Sequence, residues 1–228
     1  MYFVERSLRF MRGAVLSYGP SMVKKLFWDK EYSNGKWWFN DNTADDCVYL
    51  YLKKYAENGS ILDLGCGSGN TANELALNAY RSYLGVDISE SALDKARKWT
   101  EVTGRANKNS FAQGDFLSFV PTQQFNVIFF RESLYHVPLG KIKATFDRYS
   151  KYLSDGGVLI VRLITSENGK SKYRPTAMLG VIEAGFDGLE KHHDPQSGAT
   201  VVVFRPSVCG RSADTSCQPE TMSVPGGS

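Results

Sequence analysis

Hydrophobic residues follow two spacings along the chain: short continuous runs, and runs in which every third or fourth residue is apolar. The continuous runs predict strands buried in a sheet, over residues 61–64, 83–86, 125–130, 158–163 and 201–205. Residues 110–113 and 189–193, which are less apolar, are predicted to form two further strands. The helical spacing predicts helices over residues 1–27, 45–57, 70 onward, 89–103, 141–153 and 176–184. Gly19-Pro20 should break the first of these helices, and Ser89 should cap the start of the fourth.

The order of these elements indicates the fold. From residue 61, strands alternate with helices, a pattern typical of an α/β domain with helices on both faces of a parallel sheet. Only seven residues, 194–200, separate the last two strands, too few for a crossover between parallel strands. We therefore predict a doubly wound, mostly parallel sheet of seven strands in which the last strand is antiparallel.

The pattern also divides the chain into three parts. We predict an N-terminal helical and aromatic cap over 1–44, the α/β domain over 45–206, and a disordered tail over 207–228, where Ser, Thr, Pro and Gly dominate. Residues 28–43 are predicted to form a loop of the cap. Its rings are Trp28, Tyr32, Trp37, Trp38 and Phe39. We expect one of them to touch a ligand, and packing against the N-terminal helix is the alternative.

Composition narrows the class of protein. Of the 228 residues, 42% are hydrophobic and 22% are charged, as in an ordinary globular protein, and a net charge of +3 does not by itself indicate a nucleic-acid partner. The four cysteines form no CxxC pair and no cluster with His at zinc-ligand spacing, so we predict no metal site. So few cysteines in a chain of this length favour a reducing, cytoplasmic location.

The first 27 residues are basic, with five positive charges minus one negative giving +4. The charged residues are Arg6, Arg9, Arg12, Lys24, Lys25 and Glu5. The segment lacks a convincing signal peptide, and no run in the chain approaches the roughly 20 apolar residues that a transmembrane helix needs. We interpret it as an amphipathic helix that caps the domain. The alternative is a peripheral helix that contacts a membrane surface.

A glycine-rich turn follows the first strand. Residues 63–69 have the sequence DLGCGSG, in which Gly65, Gly67 and Gly69 allow a tight turn and a close approach of a ligand to the backbone. The N–H groups at the start of the next helix favour an electron-rich or anionic ligand. The dinucleotide fingerprint GxGxxG would require glycine where Asn70 stands, which argues against a nicotinamide oxidoreductase.

Carboxylates follow the next two strands. Asp87 ends the second strand, where an acid about 20 residues after the turn can accept hydrogen bonds from both ribose hydroxyls. Asp115 follows the third strand, where its carboxylate can bind an adenine amino group while Phe116 packs on the ring. Open α/β sheets bind ligands at the carboxyl ends of their strands. These acids therefore predict a site for an adenine nucleoside.

In these residues the chain resembles the class I S-adenosylmethionine-dependent methyltransferases. DLGCGSGN is similar to the family's motif I, and Asp87 and Asp115 stand in the places of its ribose-binding and adenine-contacting acids. Residues 125–130 resemble motif IV, and LSDGGVLIVRL resembles the segment before strand five. The resemblance implies a Rossmann-like methyltransferase fold, S-adenosylmethionine as the cofactor, and an enzyme that transfers its methyl group.

The resemblance also implies which residues bind the cofactor. Gly65, Gly67 and Arg131 would line its methionine end, and Ile88 and Phe116 would lie on either side of the adenine. The whole predicted cofactor site consists of Asp63, Gly65, Gly67, Gly69, Asp87, Ile88, Asp115, Phe116 and Arg131. The segments FWDKEYSNGKWWF and SGATVVVFRP resemble a bacterial branch of the family, which does not name a substrate.

The acceptor class depends on residues 131–138, RESLYHVP, after the fourth strand. This segment lacks the NPPY-type tetrapeptide of enzymes that methylate planar nitrogens, and it lacks the PC motif of cytosine C5 methylation. It is similar to the ESxHH or ESxYY stretch of small-molecule and sugar methyltransferases, in some of which a histidine is the base. We predict that His136 deprotonates an acceptor hydroxyl and that Glu132 positions this histidine or the substrate. Packing of His136 against the following helix is the alternative.

These inferences predict a methyltransferase that acts on an oxygen or nitrogen of a small molecule, such as a sugar or another metabolite. One alternative is an enzyme that acts on RNA or protein, with the basic N-terminus as an arm whose binding weakens with salt. Another is a scaffold that binds the cofactor without transferring the methyl group. A small-molecule substrate is preferred over nucleic acid, and the oligomeric state is left open.

Overall fold

A seven-stranded sheet lies at the centre of the computed structural model, which describes residues 13–35, 43–165 and 174–207. The strands are β1 (Ser60–Leu64), β2 (Ser82–Asp87), β3 (Asn109–Gln113), β4 (Phe125–Arg131), β5 (Leu153–Ile164), β6 (Phe186–Asp194) and β7 (Ala199–Pro206). Their order in the sheet is β3-β2-β1-β4-β5-β7-β6. Strands β1 to β5 pair in parallel, and β7 is antiparallel to both β5 and β6. The predicted α/β sheet with an antiparallel last strand is confirmed.

Helices cover both faces of this sheet. They are α1 (Ser21–Ser33), α2 (Val48–Ala56), α3 (Asn70–Glu74), α4 (Glu90–Val102), α5 (Ile142–Ser150) and α6 (Pro175–Gly185). Successive strand residues point to opposite faces, so Ile61 of β1 belongs to one hydrophobic core and Leu62 to the other. The first core lies under α2 and α3, and the second lies under α5 and α6.

The strand order reverses between β1 and β4. From β1 the chain proceeds outward through β2 and β3 on one side of the sheet, and β4 and β5 then continue on the other side. The connections after β1 and β4 therefore leave the sheet in opposite directions, which opens a crevice at the carboxyl ends of these strands. This crevice is the place where the fold offers a ligand site.

The final hairpin completes the second half of the sheet. Strand β6 pairs with β7, which in turn fills the space beside β5. Phe186 of β6 and Phe204 of β7 pack against Phe146 of α5, with ring centroids 5.7 and 5.1 Å away. Phe130 of β4 contacts the same ring at 5.2 Å. One aromatic side chain thus joins three strands to the helix that covers them.

Two local predictions are wrong. Residues 28–33 are not a loop but the last part of α1, because glycine and proline are absent from this helix and the first breaker after it is Gly35, at φ +66°. Strand β5 begins at Leu153 and not at residue 158, and the helix before it ends at Ser150. The strand contains Gly156-Gly157, and its pairing register with β4 shifts nearby, as at a bulge.

Parts of other predictions fall outside the described residues. These are the helix before residue 13, the rings of Trp37, Trp38 and Phe39, and the tail from residue 208. The break at Gly19-Pro20 is present, between helical residues 13–18 and α1. Within the described ranges, no helix combines the length and the apolar character needed to cross a membrane. The division into cap, domain and tail stays a prediction.

Replacement of Phe146 tests the packing of the second half of the sheet. Because its ring is fully buried against three other rings, we expect Phe146→Ala to lower the free energy of unfolding by about 3–5 kcal/mol. Urea denaturation followed by circular dichroism measures this loss. Val102→Ala, at a residue that is 86% exposed, is the matched control and should change the stability by less than about 0.5 kcal/mol. Equal effects of the two changes would contradict the packing argument.

Candidate functional site

A cavity of about 500 Å³ lies in the crevice between the two halves of the sheet. Of the eleven predicted site residues, ten line it: Asp63, Gly65, Gly67, Asp87, Ile88, Asp115, Phe116, Arg131, Glu132 and His136. Gly69 does not line it, and its part in cofactor binding stays a prediction. A Cβ atom on Gly69 would lie 2.7 Å from the Cβ of Ala96 in α4, so this glycine permits helix packing behind the turn.

The glycine turn after β1 forms the floor of the cavity. Gly65 and Gly67 have φ values of +83° and +55°, which residues with a side chain rarely adopt. A Cβ atom on Gly65 would lie 2.4 Å from the Cβ of Ser133, and one on Gly67 would lie 2.7 Å from the hydroxyl of Tyr32. The turn therefore leaves its backbone uncovered by its own side chains, and a ligand can approach it closely.

Asp87 lies beside this turn and is bound to it. Its carboxylate accepts hydrogen bonds from the N–H groups of Gly67 and Ser89, each at 2.9 Å. Burial raises the pKa of Asp87 to about 6, although these hydrogen bonds act in the opposite direction. Each carboxylate oxygen has a further lone pair, so the side chain can still accept hydrogen bonds from a ligand in the cavity.

Asp63 is the more deeply buried of the two acids. The hydroxyl of Tyr83 donates to its Oδ2 at 2.5 Å, while its Oδ1 has no hydrogen-bond partner. Burial, the largest effect, and the nearby Asp87 together raise the pKa of Asp63 to about 7, against the opposing effects of Tyr83 and Arg131. A buried, partly unsatisfied carboxylate at a cavity wall matches a ligand that brings a cation or a hydrogen-bond donor.

Helix α1 covers the cavity. Lys24, Trp28 and Tyr32 are spaced four residues apart, which places them on one face of the helix, and all three line the cavity. The sequence predicted that one of five aromatic rings touches a ligand, and two of the five, Trp28 and Tyr32, line the cavity. They lie there on a helix, whereas the sequence predicted a loop.

One end of α1 is attached to Asp115. Lys24 Nζ and Ser21 Oγ donate to Oδ2 of this carboxylate at 2.9 and 2.8 Å, and the N–H of Leu117 donates to Oδ1 at 3.0 Å. Burial acts to raise the pKa of Asp115, but these hydrogen bonds outweigh it and hold the pKa below its usual value. Asp115 therefore anchors the cover of the cavity, a contact that its sequence position did not reveal.

The middle of α1 is attached to the start of α4. Asp29 Oδ1 accepts hydrogen bonds from Ser89 Oγ at 2.8 Å and from the N–H of Ser91 at 3.2 Å, and its Oδ2 pairs with Lys25 at 2.8 Å. Ser89 also caps α4, as predicted, by accepting from the N–H of Ala92. Asp29 was missed in the sequence analysis. The residues next to it in sequence do not show that its side chain contacts the start of α4, which is about 60 residues away along the chain.

The opposite end of the cavity contains a buried ion network. Asp46 Oδ2 lies 2.7 Å from Arg131 Nη2 and 3.0 Å from Arg162 Nε. Arg162 Nη1 donates to Glu132 Oε1 at 2.5 Å. Arg131 also donates to the hydroxyl of Tyr49 at 3.1 Å. These contacts fix the arginine at the end of β4 and the one in β5, so that the charges at this end of the cavity are held in place.

The predicted catalytic segment lies beside this network. Glu132 has φ +56°, a strained conformation for a residue with a side chain, and its N–H donates to the carbonyl of Arg162 at 3.0 Å. His136 follows in a short 3₁₀ helix, and its ring meets that of Trp28 edge-on with centroids 5.0 Å apart. Between them, Ser133 Oγ is buried without a hydrogen-bond partner. All of these residues line the cavity.

The sequence missed Asp46 and Arg162 as site residues. Arg162 does have a sequence signal, because it is the only charge in the run Val158–Leu163, and a charge in a buried strand must face a partner or a polar cavity. Asp46 has no such sequence signal, because an acid before a helix is already explained by capping. Its side chain does cap the helix, by accepting a hydrogen bond from the N–H of Val48 at 3.0 Å.

Among the residues that the structure describes, no group of three or more His, Cys, Asp or Glu side chains could hold a metal ion.

Comparison with known proteins identifies the family. Residues 56–185, more than half of the chain, match the family model described as "Methyltransferase domain". The chain belongs to this family. The predicted membership in a family of methyltransferases is thereby confirmed.

The relatives that the chain matches are methyltransferases named for different acceptors. The chain is 27% identical over 157 residues to sterol 24-C-methyltransferase of Yarrowia lipolytica, covering 67% of this chain and 40% of that protein. It is 26% identical over 192 residues to thiocyanate methyltransferase 1 of Brassica oleracea, covering 82% and 84%. The chain spans two fifths or less of the sterol methyltransferases that it matches first. Among solved structures, the DhpI–SAH complex has a similar fold, with a TM-score of 0.65 at 19% identity over 84% of this chain and 99% of that one.

The raised pKa of Asp63 predicts how stability depends on pH. Between about pH 4 and 7 the folded protein holds a proton on Asp63 that the unfolded chain releases, so stability falls as the pH rises through this range. Asp63→Asn removes this contribution. We expect the free energy of unfolding of the variant, relative to the wild type, to increase by on the order of 2 kcal/mol from pH 5 to pH 8.

Urea denaturation at the two pH values measures this difference. Asp94→Asn, at an exposed acid on α4, is the control and should keep a constant difference from the wild type. A difference between Asp63→Asn and the wild type that does not change with pH would contradict the assignment of the buried proton to Asp63.

Proposed function

We propose that the chain is an S-adenosylmethionine-dependent methyltransferase that acts on an oxygen or nitrogen of a small molecule. The observation that carries the proposal is the pair of buried acids, Asp63 and Asp87, in the cavity wall beside the uncovered glycine turn. Keeping such acids buried is costly unless a ligand satisfies them. S-adenosylmethionine has suitable groups, because it carries an ammonium group, a sulfonium group and two ribose hydroxyls.

Each polar group of the cofactor would meet a complementary residue in the cavity wall. Asp63, beside Gly65 and Gly67, would bind the ammonium group of the methionine end, and Asp87 would accept hydrogen bonds from the ribose hydroxyls. Arg131 would lie at the same methionine end. When bound, the cofactor supplies a methyl group on a positively charged sulfur, which is already activated for transfer.

The residues at the adenine end of the cofactor would also contact α1, the helix that covers the cavity. Ile88 and Phe116 would lie against the ring, and Asp115 would accept a hydrogen bond from the adenine amino group. Because Oδ2 of Asp115 already accepts from Lys24 and Ser21, the cofactor and α1 would bind the same carboxylate. Helix α1 would then complete the cofactor site and exclude water from it.

The acceptor would occupy the end of the cavity at Glu132, Ser133 and His136. Ser133 Oγ has no partner and offers a hydrogen bond to an acceptor group. Glu132, held by Arg162, would position the acceptor, and His136 would take the proton from its hydroxyl or amine. Alignment of the nucleophile with the methyl group and the leaving sulfur would supply much of the rate.

The size of the cavity favours a small acceptor. Ligand pockets commonly measure about 300–1,000 Å³, and this cavity of about 500 Å³ would hold the cofactor as well as the acceptor. An acceptor group on RNA or protein could enter only if α1 left Asp115, which is why we favour a metabolite as the acceptor.

A scaffold without transferase activity would use the same cofactor contacts, and only a transfer assay distinguishes it from an enzyme. The cytoplasmic location stays a prediction based on cysteine content.

Calorimetric titration with S-adenosylmethionine and S-adenosylhomocysteine, and with NADH in parallel, tests the cofactor. We expect both adenosyl ligands to bind with micromolar affinity and NADH not to bind. Asp87→Ala should weaken binding about 10²-fold or more, because it removes the ribose acceptor and a contact of the glycine turn. Asp94→Ala changes an exposed acid of α4 and should bind like the wild type. A folded protein that binds neither adenosyl ligand would refute the proposal.

His136→Gln tests the proposed base. With a labelled methyl donor and a panel of sugars and other hydroxylated or amino metabolites, the wild type should label an acceptor. For that acceptor, we expect the variant to lower kcat by about 10²–10⁴-fold and to remove the acidic limb of the pH profile. Cofactor affinity, measured separately, should stay near the wild-type value. An unchanged pH profile would assign His136 a packing role against Trp28.

A further inference from the structure

The loop after β3 is held by the last turn of α5. Nη1 and Nη2 of Arg148 donate to the carbonyls of Leu117 and Phe116, respectively. The hydroxyl of Tyr149 donates to the same Phe116 carbonyl at 2.5 Å. Backbone carbonyls away from water need a donor, and here α5 supplies donors to two successive carbonyls of one loop. The loop that carries Asp115 is therefore bound to a helix on the face of the sheet.

The guanidinium group of Arg148 binds the backbone and not an acid. In the described ranges no carboxylate forms an ion pair with Arg148, whereas Arg131 and Arg162 both pair with Asp46. Its guanidinium carbon lies 4.7 Å from the ring centroid of Tyr149, which is itself fully buried. A planar set of donors that is stacked on a fixed ring loses little freedom when it bonds two acceptors. The two side chains are thus arranged in advance to hold the loop.

One peptide group connects these donors to Asp115. The peptide between Phe116 and Leu117 offers its carbonyl to α5, and its N–H donates to Oδ1 of Asp115 at 3.0 Å. A peptide group is planar, with its C=O and N–H pointing in opposite directions, so a donor that fixes the carbonyl also fixes the N–H. The direction of the Asp115 carboxylate therefore depends on Arg148 and Tyr149, although neither is hydrogen-bonded to it in the part of the chain that the structure describes.

The ring of Phe116 is linked to the same part of α5. It meets the ring of Phe130 edge-on, with centroids 6.0 Å apart, and Phe130 meets the ring of Tyr149 edge-on at 5.9 Å. Edge-to-face contacts at these distances are favourable and orient the rings relative to each other. Both the backbone and the side chain of Phe116 are thus held in relation to Tyr149.

We propose that Arg148 and Tyr149 are positioning residues that determine the selectivity of the site for adenine. Through the peptide after Phe116, they hold the carboxylate of Asp115 in the direction from which it accepts a hydrogen bond from the adenine amino group. This inference rests on the proposed function, because it takes Asp115 and Phe116 as the adenine contacts. It adds two residues of α5 that lie outside the cavity wall and that influence which base is accepted.

Calorimetric titration with two ligands that differ in one group tests this role. S-adenosylhomocysteine carries the amino group, and S-inosylhomocysteine carries in its place an oxo group, which cannot donate a hydrogen bond to Asp115. We expect the full-length wild type to prefer the adenosyl ligand by about 10–100-fold, as for a hydrogen bond to a charged group. Arg148→Met should lower this preference about fivefold or more, because it weakens binding of the adenosyl ligand and leaves the inosyl ligand near its wild-type affinity.

Further variants separate geometry from charge and from packing. Arg148→Lys keeps the positive charge but lacks the planar set of donors, and we expect it to lower the preference as Arg148→Met does. Tyr149→Phe keeps the buried ring and removes only the hydroxyl, so it should lower the preference by a smaller factor, about twofold to fivefold. Lys143→Met is the matched control. It removes an exposed cation of α5 that pairs with Asp147, and it should keep the wild-type preference.

The outcomes distinguish this inference from the proposed function. If the Arg148 and Tyr149 variants bind both ligands more weakly by the same factor, the preference is unchanged and the inference is overturned, while binding of S-adenosylhomocysteine by the wild type still supports the proposed function. Equal affinity of the wild type for the two ligands would also overturn the inference alone. A folded wild type that binds neither ligand would overturn both. The unfolding midpoint by circular dichroism verifies that each variant keeps its fold.

Discussion

The glycine turn after β1 is the constraint on which the site depends. The chain must leave the sheet at Leu64, reverse, and begin α3 within a few residues, while its backbone stays open to the cavity. Positive φ values at Gly65 and Gly67 make this reversal feasible, and the N–H of Gly65 ties the turn to the carbonyl of Val86 at 2.7 Å. This hydrogen bond fixes the end of β2 beside the turn, and it thereby places Asp87 next to Gly67. The positions of the two buried acids follow from the same backbone geometry.

The cover of the site is attached by polar contacts to the residues that would bind the cofactor. Asp115 is bonded to Lys24, and Ser89, which follows Asp87, is bonded to Asp29. Hydrogen bonds of this kind are modest in net free energy because water competes for both partners. Helix α1 is therefore joined to the domain by these polar contacts, in contrast to α2 and α5, which are held by buried apolar faces. Binding of the cofactor and attachment of α1 would then be coupled through the carboxylate of Asp115.

The sequence predicted the sheet and most of the site because both depend on local patterns. The turn, Asp87 and Asp115 each follow a predictable strand, and parallel strands bring their carboxyl ends together. The loop predicted over residues 28–33 is wrong because aromatic and polar residues on α1 face a cavity and a partner helix, so the apolar spacing that indicates a core-facing helix is missing. The ion network around Asp46 could not be predicted, because it joins the start of α2 to two strands through side chains far apart in sequence.

The position of β7 has a consequence for the order of folding during synthesis. This strand lies between β5 and β6, yet it leaves the ribosome after both of them. Until residues 199–206 are available, β5 keeps an open edge and β6 has no strand to pair with. Open strand edges are templates for pairing with other chains. The nascent chain is therefore most exposed to aggregation at the moment when only one strand of the sheet is still missing.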